Sequence, residues 1–553
     1  MSAVPESRAS ATTPEASEAP GARASRAPRT VYAVLVALYV LLFPYHPGLR
    51  SPNELCRLWQ TRALVEYGTL DINRALQDFG PVGDLSVKDG RYYPSKAPLL
   101  SFAAVPVYAV LRGVGGGFLY AVREVPLVFF SRLFLTVLPT LLMLWLVRRF
   151  LGAYVSAGVA DAVTVTYGLG SLAFSYSLLF MSHQTTAVLL FGGFYALWRL
   201  ARGEWRERGF LVAGACAGAT VAAEYTGALG VLGLVLYAVL TMLWRAEPMS
   251  ARWVRLGRGA GLALLGALPF VVGLMLYHQA AFGHPLESGY KHLNDSAYQP
   301  WHLGGFLGIR YPDPRALVLS FFSPLRGLFT LSPFLLLALP GVAVLRREAR
   351  ASVEMRAHLW LVVALLAGYT YFTSSFSYDS WGWTTGPRHL TGLVPFLLLP
   401  ASLLLERLRT SSRWALTGAA AALCTASIAF TGVATFVNYV PDDVSNVVLG
   451  LAVPLLRAGY LPPSALNLLG VSNPVAGVLL LALLLGLAVW VFVQLGLSGE
   501  TKPGARPIIA GLAMFALLLG AQAATVKYHA GDEGAVRFLE KVWLVPPGRT
   551  LGF

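Results

Sequence analysis

Residues 51–106 form the first long polar stretch of the chain and read SPNELCRLWQTRALVEYGTLDINRALQDFGPVGDLSVKDGRYYPSKAPLLSFAAVP. The stretch is dense in acids, bases and aromatic residues, whereas most of the chain after it is a series of apolar segments. Polar side chains are costly inside a lipid bilayer, so a chain of this kind has few places for polar chemistry. We therefore expect this opening loop to carry the functional residues, with the apolar segments as their scaffold.

The composition excludes a soluble globular protein. The chain has 553 residues, of which 56% are hydrophobic and 13% are charged. Its apolar runs repeatedly reach the roughly 18 residues that a spanning helix needs. The net charge of +15 comes mainly from short loops between these runs, so anionic membrane lipid, rather than nucleic acid, is the expected partner of the bases. The three cysteines are far apart and predict neither a disulfide framework nor a cysteine metal site.

The start of the opening loop predicts a helix. Ser51 suits the N-cap, Pro52 the first helical position and Glu54 the third, as in a capping box. Apolar residues over 52–67 fall near one face, which predicts a helix lying along the membrane surface. Further along, Asp89-Gly90 is a turn signal that is followed by Tyr92, Tyr93 and Lys96.

The run from Pro98 to Leu111 determines the predicted topology. As a helix it would be about 21 Å long, which is short of a hydrocarbon core of about 30 Å. If it does not span, the arginine-rich loops fall on one side, for example 199–208, while the alternate loops 172–181 and 224–225 carry no lysine or arginine. The positive-inside rule favours this arrangement. It predicts about thirteen spans, at 31–47, 125–147, 152–171, 182–198, 209–223, 226–243, 259–277, 326–345, 358–375, 389–405, 413–436, 474–496 and 507–526.

The predicted fold class is an all-α polytopic integral membrane protein with a large first external loop. Residues 1–29 are expected to be a disordered cytoplasmic tail, residues 30–526 the transmembrane domain, and residues 527–553 an external tail. The opening loop lies within the external segment 48–124. The loops 278–325, 376–388 and 438–473 are expected on the same side, so one external site could draw on all of them.

Several short motifs of the first 200 residues resemble the GT-C superfamily of polyprenyl-phosphate-sugar-dependent glycosyltransferases. They are SPNEL after the first span, the helix 52–67, YYPSKAPLL and FFSRL. The pattern is similar to that of protein O-mannosyltransferases and the lipid A aminoarabinose transferase. These families have an acidic pair after the first span, an amphipathic helix, a Lys-Pro-Pro-like element and an outer arginine on the second span.

The resemblance implies a membrane enzyme that transfers a sugar from a polyprenyl-phosphate sugar to an acceptor. The acceptor would be a protein, a lipid or a glycan on the outer face of a bacterial-type cell membrane. Because the donor is a lipid, the family needs no nucleotide-binding loop. Attack from the face opposite the phosphate would invert the anomeric centre.

Under this resemblance the catalytic base falls to Glu54, since the first acid of the pair is Asn53 here. Binding of the substrate and the donor phosphate is assigned to Lys96, Arg132, Arg388, Tyr92, Tyr93, His183, Asp379 and Trp381. A divalent metal is a possible cofactor. His183 stands where the family often has a second carboxylate, so the usual carboxylate metal site lacks a counterpart.

Each assignment has a structural alternative. Glu54 could serve only as the helix cap, and Lys96 and Arg132 could reach lipid headgroups. His183 could be a structural histidine, and the loop with Asp379 and Trp381 could be an interfacial aromatic belt. The turn residue Glu224 is interpreted as a solvated loop residue.

Two other classes of function share this topology. A secondary transporter or lipid flippase predicts charged or broken helices near the membrane midplane and internal repeats, whereas this sequence concentrates its polar groups in the predicted external loops. A non-catalytic assembly protein or a polymerase-like protein differs from a glycosyltransferase only in activity.

Overall fold

The computed structural model describes residues 29–42, 51–122, 125–244, 247–305, 308–376, 384–411, 413–438, 440–441, 444–457, 464–498, 504–526 and 530–543. These residues are mainly helical, and the sheet among them is a single two-stranded hairpin. The predicted all-α class is therefore confirmed, with the hairpin as an addition to it.

The first half of the chain holds the opening loop and the helices that follow it. Its elements are α1 (Arg29–Leu41), α2 (Pro52–Arg62), α3 (Asn73–Phe79), β1 (Leu85–Lys88), β2 (Arg91–Pro94), α4 (Leu99–Ala103), α5 (Val105–Val122), α6 (Val125–Arg132), α7 (Leu138–Leu151), α8 (Ala157–Leu169), α9 (Leu172–Ser177), α10 (Ser182–Ala201), α11 (Arg208–Ala223), α12 (Ala228–Leu243) and α13 (Met249–Phe282).

The second half continues with short helices and then long ones. Its elements are α14 (Gln299–Leu303), α15 (Pro314–Phe322), α16 (Leu328–Leu331), α17 (Ala338–Ala351), α18 (Val353–Ser375), α19 (Leu398–Thr410), α20 (Trp414–Val437), α21 (Val453–Arg457), α22 (Ala465–Leu468), α23 (Asn473–Phe492), α24 (Arg506–Ala524) and α25 (Ala530–Trp543). The predicted external tail thus contains α25, whose Ala535 and Leu539 are buried against the helical bundle.

The chain is a polytopic integral membrane protein. Among the described residues, seven helical segments are long and apolar enough to cross a membrane. They are Pro126–Leu151, Tyr225–Leu243, Met249–Phe282, Val353–Ser375, Trp414–Val437, Asn473–Leu497 and Arg506–Ala524. Each of the thirteen predicted segments contains helical residues, but several of these helices are shorter than a full span, so the number thirteen stays a prediction.

The run from Pro98 to Leu111 is helical but broken. α4 ends before Ala104, and α5 continues well past Leu111 to Val122. The apolar part, Leu99–Val114, is among the helices shorter than a full span. Its predicted failure to cross the membrane therefore stays a prediction.

The opening loop is packed into the protein. Nine of the eleven residues of α2 are buried, which is deeper than expected for a helix lying on a membrane surface. Its polar residues find partners inside: the Gln60 amide donates to the Tyr277 hydroxyl at 3.1 Å, and the Arg62 guanidinium lies 4.0 Å from the Phe79 ring centroid. The Asp89-Gly90 turn is confirmed as the two-residue turn of the hairpin, with φ of 51° and 74°. Two consecutive positive φ angles are typical of the type I′ turn that such hairpins favour.

Two helices behind the loop approach each other unusually closely. A Cβ atom added to Gly214 on α11 would lie 1.9 Å from the Ala263 carbonyl oxygen on α13. One added to Gly266 on α13 would lie 2.1 Å from the Leu211 carbonyl oxygen. Small residues at such positions let helix backbones pack directly in membranes. This seam fixes the end of α11, where Glu224 follows.

The predicted orientation can be tested with cysteine labels at exposed positions. We expect labels at residues 89 and 297 to react with an impermeant reagent from outside, and labels at 204 and 350 to react only after permeabilisation. The reason is the concentration of arginine in the loops that contain 204 and 350. The native Cys216, which is not fully buried, is replaced beforehand. Reaction of positions 89 and 204 from the same side would contradict the predicted topology.

Candidate active site

The first polar contact of the opening loop is a buried ion pair between Glu54 on α2 and Arg132 at the end of α6. The Arg132 Nη2 atom donates to both carboxylate oxygens, at 2.7 and 2.9 Å, and Nε donates to Oε1 at 3.0 Å. The backbone N–H of Phe180 donates to the same Oε1 at 2.5 Å. Both side chains are at most 1% exposed. The pair therefore joins α2, α6 and the segment before α10.

This geometry bears on the roles predicted for the two residues. The Ser51 side chain makes no capping hydrogen bond, so helix capping does not explain Glu54. Both Glu54 oxygens already accept hydrogen bonds inside the protein, and the Arg132 guanidinium is engaged with them. The arrangement favours an anchoring role for the pair over a general base at Glu54 and a phosphate ligand at Arg132.

Lys96 lies at a second ion pair, at the base of the hairpin. Its Nζ atom is 3.1 Å from the Asp84 Oδ1 atom and 5.5 Å from the Tyr290 ring centroid. Burial alone would raise the pKa of Asp84, but Lys96, with a smaller contribution from Arg388, holds that pKa below its ordinary value. Burial alone would lower the pKa of Lys96, but Asp84 and Tyr290 hold it above its ordinary value. Lys96 is therefore a charged ammonium at neutral pH.

The loop after α13 covers this pair. The Ser86 hydroxyl donates to the Gly289 carbonyl at 2.7 Å, and the Asn294 N–H donates to the Leu85 carbonyl at 2.9 Å, so the loop pairs with β1. The rings of Tyr290 and His302 stack at a centroid distance of 4.3 Å. Burial, together with repulsion from Lys96, lowers the pKa of His302 to about 4. His302 is therefore neutral at pH 7.

The predicted substrate contacts Tyr92 and Tyr93 belong to the hairpin packing. Tyr93 is buried, and its ring lies 5.5 Å from that of Phe282. The Tyr92 N–H donates to the Asn73 side-chain oxygen at 2.7 Å, which ties the hairpin to α3. Asp379 and Trp381 lie outside the described residues.

Two arginines of the site have no carboxylate partner within the described part of the chain. Arg57 on α2 is 2% exposed and reaches only neutral oxygens, the Ala97 carbonyl at 3.4 Å and the Ser182 hydroxyl at 3.2 Å. Arg388 is half-buried and acts electrostatically on both Asp84 and Lys96. The sequence pattern indicated Arg388 as a functional residue but did not single out Arg57. The signal was an arginine among Leu55, Leu58 and Trp59 on a helix with an apolar face.

His183 lies in a third group, together with Glu224 and His389. The His183 Nδ1 atom is 2.9 Å, and the His389 Nδ1 atom 3.5 Å, from the Glu224 Oε1 atom. The same carboxylate accepts hydrogen bonds from Ser182, Thr186 and Thr226 at 3.0–3.4 Å. Burial alone would raise the pKa of Glu224, but the two histidines hold it well below its ordinary value. The interpretation of Glu224 as a solvated loop residue was wrong, because the turn after α11 directs it into the protein.

One contact holds the segment that carries Arg388 and His389. The Tyr176 hydroxyl donates to the Thr385 carbonyl oxygen at 2.9 Å and lies 3.0 Å from the Thr384 hydroxyl, with which it also hydrogen-bonds. Tyr176 belongs to α9 and is fully buried, and its ring also lies edge-on to that of His183 at 5.2 Å. Through Tyr176, α9 therefore contacts both His183 and the segment that carries Arg388 and His389.

Several buried polar atoms around these residues lack a hydrogen-bond partner within the described chain, as do others elsewhere in the protein. Those around these residues are Arg57 Nε, Ser95 Oγ, His183 Nε2, Thr385 Oγ1 and Arg388 Nε. More than about 90% of buried polar groups in proteins are satisfied, so these atoms are positions that ligand or solvent could occupy. We define these residues, with Lys96 and Asp84, as the candidate active site.

The anchoring role of the Glu54–Arg132 pair predicts how its variants behave. Arg132→Ala leaves a buried carboxylate unpaired and should destabilise the fold by about 3–5 kcal/mol, whereas Glu54→Leu combined with Arg132→Leu should recover much of this loss. The measurement is the melting temperature of purified protein in detergent.

Glu54→Gln distinguishes the anchoring role of Glu54 from a role as general base. The variant keeps the shape of the side chain and removes its charge. A variant that melts like wild type but transfers sugar at least about 100-fold more slowly would support the base role instead.

Comparison with known proteins gives structural neighbours only, since the chain matches no family model and no curated protein. It is similar to ArnT from Cupriavidus metallidurans bound to undecaprenyl phosphate, with a TM-score of 0.44 and 16% identity, over 84% of this chain and 77% of that one. It is also similar to the Archaeoglobus fulgidus oligosaccharyltransferase tethered with an acceptor peptide, with a TM-score of 0.45 and 12% identity, over 73% of this chain and 54% of that one. This chain thus spans about half of the latter.

Proposed function

We propose that the chain is a membrane glycosyltransferase that moves a sugar from a polyprenyl-phosphate sugar to a protein, lipid or glycan acceptor. The reaction would take place at the outer face of the membrane, with inversion at the anomeric centre. The observation that carries the proposal is a pair of arginines beside Lys96, the buried Arg57 and the half-buried Arg388, which have no carboxylate of their own among the described residues.

The site carries an excess of positive charge, which favours the binding of an anion. Lys96 is already neutralised by Asp84, whereas Arg57 and Arg388 add positive charge that described residues leave unpaired. A buried cation costs several kcal/mol unless it is compensated, so a bound anion would relieve this cost. A phosphate group suits it, because a guanidinium presents parallel N–H donors that match phosphate oxygens.

The same cations would assist the chemistry. When the bond between the sugar and the phosphate breaks, negative charge grows on the departing phosphate oxygen. Fixed donors aimed at that oxygen stabilise the transition state more than the ground state. Arg57 and Arg388 would bind the phosphate, and Lys96, oriented by Asp84 and Tyr290, would stabilise its departure.

Glu54 would contribute to phosphate binding indirectly, because it positions Arg57. It lies one helical turn before Arg57 on α2, and its pair with Arg132 holds this turn against α6. The Arg57 side chain then reaches Ala97, the residue after Lys96. The Glu54–Arg132 pair would thereby align the cations of α2 and of the Lys96 segment on one phosphate.

Variants of the three cations test the proposal. Arg57→Ala, Arg388→Ala and Lys96→Ala should each weaken binding of undecaprenyl phosphate to the purified protein by about 10- to 100-fold, since a charged hydrogen bond is worth about 1.5–3 kcal/mol. Lys96→Arg should not restore binding, because a planar fork and a point charge need different geometries.

Arg91→Ala is the matched control, since Arg91 is an exposed arginine of the same hairpin. Binding at the wild-type level in all three variants would refute the proposed phosphate site. Mass spectrometry of cell-envelope glycans, with and without the protein, then tests transfer itself. An unchanged glycan profile would refute the proposed transferase activity.

A further inference from the structure

A continuous row of rings begins at Lys96. The Lys96 Nζ atom lies 5.5 Å from the Tyr290 ring centroid, and the Tyr290 ring stacks on that of His302 at 4.3 Å, with an angle of 18° between the ring planes. The His302 ring lies 5.8 Å from the Phe376 ring, which in turn lies 6.0 Å from the ring of His389. We define Tyr290, His302, Phe376 and His389 as the aromatic wall.

Both ends of the aromatic wall lie beside cations of the proposed phosphate site. Lys96 lies at the Tyr290 end, and Arg388 directly precedes His389. A sugar joined to a phosphate that these cations hold would therefore lie along the aromatic wall. We propose that the aromatic wall binds the transferred sugar of the donor, and that this sugar is uncharged, a hexose or pentose without amino or carboxyl groups. This inference rests on the proposed function and adds the class of sugar to it.

The first argument is the surface that the aromatic wall offers. One face of a sugar ring carries mainly C–H groups that pack on aromatic rings, and aromatic side chains are common in the lining of small-ligand sites. The wall is also held in place: Ile309 and Phe376 form an antiparallel β-bridge, and a Cβ atom added to Gly308 would lie 2.7 Å from the Phe376 ring. The Phe376 ring is therefore fixed against the loop that carries Tyr290 and His302.

The second argument is the hydrogen-bonding capacity of His302. The side chain is half-buried, and neither of its ring nitrogens has a hydrogen-bond partner within the described chain. A neutral imidazole offers one N–H donor and one acceptor nitrogen. A sugar hydroxyl can both donate and accept a hydrogen bond, so it matches this ring.

The third argument is the positive potential around His302. Burial lowers the pKa of its imidazole to about 4, and repulsion from Lys96 and Arg388 acts in the same direction, whereas Asp84 acts against it. The surroundings thus oppose a further cation at this position. An ammonium group on a sugar stacked against His302 would meet the same repulsion, which an uncharged sugar avoids.

Two anions bear on this argument. A donor phosphodiester carries one negative charge, whereas Arg57 and Arg388 carry two positive charges, so the bound phosphate does not cancel them. The Glu224 carboxylate lies at the opposite end of the aromatic wall, 3.5 Å from the His389 Nδ1 atom and 2.9 Å from the His183 Nδ1 atom. The end of the wall at Lys96 therefore stays the positive end.

The experiment compares lipids that differ only in their sugar. The full-length protein in detergent is titrated with undecaprenyl phosphate, with undecaprenyl phosphate esterified to glucose, mannose or galactose, and with the corresponding lipids of glucosamine, mannosamine and galactosamine. Native mass spectrometry measures the dissociation constant of each lipid. We expect at least one neutral sugar lipid to bind at least about 10-fold more tightly than undecaprenyl phosphate, and its amino counterpart to lose this gain.

Variants of His302 assign the gain to the aromatic wall. His302→Ala removes a ring face and two hydrogen-bonding atoms, so it should abolish most of the gain while undecaprenyl phosphate binds as it does to wild type. His302→Phe keeps a ring and loses only the nitrogens, so it should weaken binding of the neutral sugar lipid by about 2- to 10-fold. His284→Ala is the matched control, since His284 is an exposed histidine of the same loop outside the wall. Melting temperatures identify any variant that fails to fold.

Three results would overturn the proposal: neutral sugar lipids that bind no more tightly than undecaprenyl phosphate, amino sugar lipids that bind as tightly as their neutral counterparts, or a His302→Ala variant that keeps the full gain. The last result would also be expected if the aromatic wall bound a sugar of the acceptor instead. Because undecaprenyl phosphate binding tests the phosphate site separately, failure of the aromatic wall is distinguishable from failure of the proposed transferase function.

Discussion

The buried pair of Glu54 and Arg132 is the contact on which the rest of the site depends. Removing two charges from water is expensive, and the cost is offset only by good geometry and further hydrogen bonds. Here the guanidinium contacts both carboxylate oxygens, and a backbone N–H from Phe180 adds a third donor. The geometry therefore holds α2 in one position relative to α6 and the start of α10.

The cationic site is built on this helix, α2, and on the segments that contact it. Arg57 lies one turn further along α2 and reaches the Ala97 carbonyl and Ser182. Lys96, beside Ala97, is held by Asp84 from the hairpin and by Tyr290 from the loop after α13. α2 and the segment after the hairpin thus bring Arg57 and Lys96 together, and the loop that pairs with β1 covers the Lys96–Asp84 pair. The site is an assembly of loops on rigid helices rather than a property of one motif.

The histidine group depends on different contacts. Glu224 follows α11, whose backbone packs directly on α13 at Gly214 and Gly266. His389 follows a segment that Tyr176 holds to α9 through Thr384 and Thr385. Ser182 joins the two halves, since it contacts both Arg57 and Glu224.

The sequence by itself determined the class of the protein and the Asp89-Gly90 turn. A bilayer demands long apolar helices, and a two-residue hairpin demands positive φ, so both features are readable from local residue types. It also indicated Glu54, Lys96, Arg132, His183 and Arg388 as residues of interest. Only the tertiary structure decided their partners: Glu54 with Arg132, 78 residues apart, and Glu224 with two distant histidines. Such partners depend on how helices pack across the bundle, which local patterns do not encode, and for that reason Arg57 was missed and Glu224 was misinterpreted as a solvated loop residue.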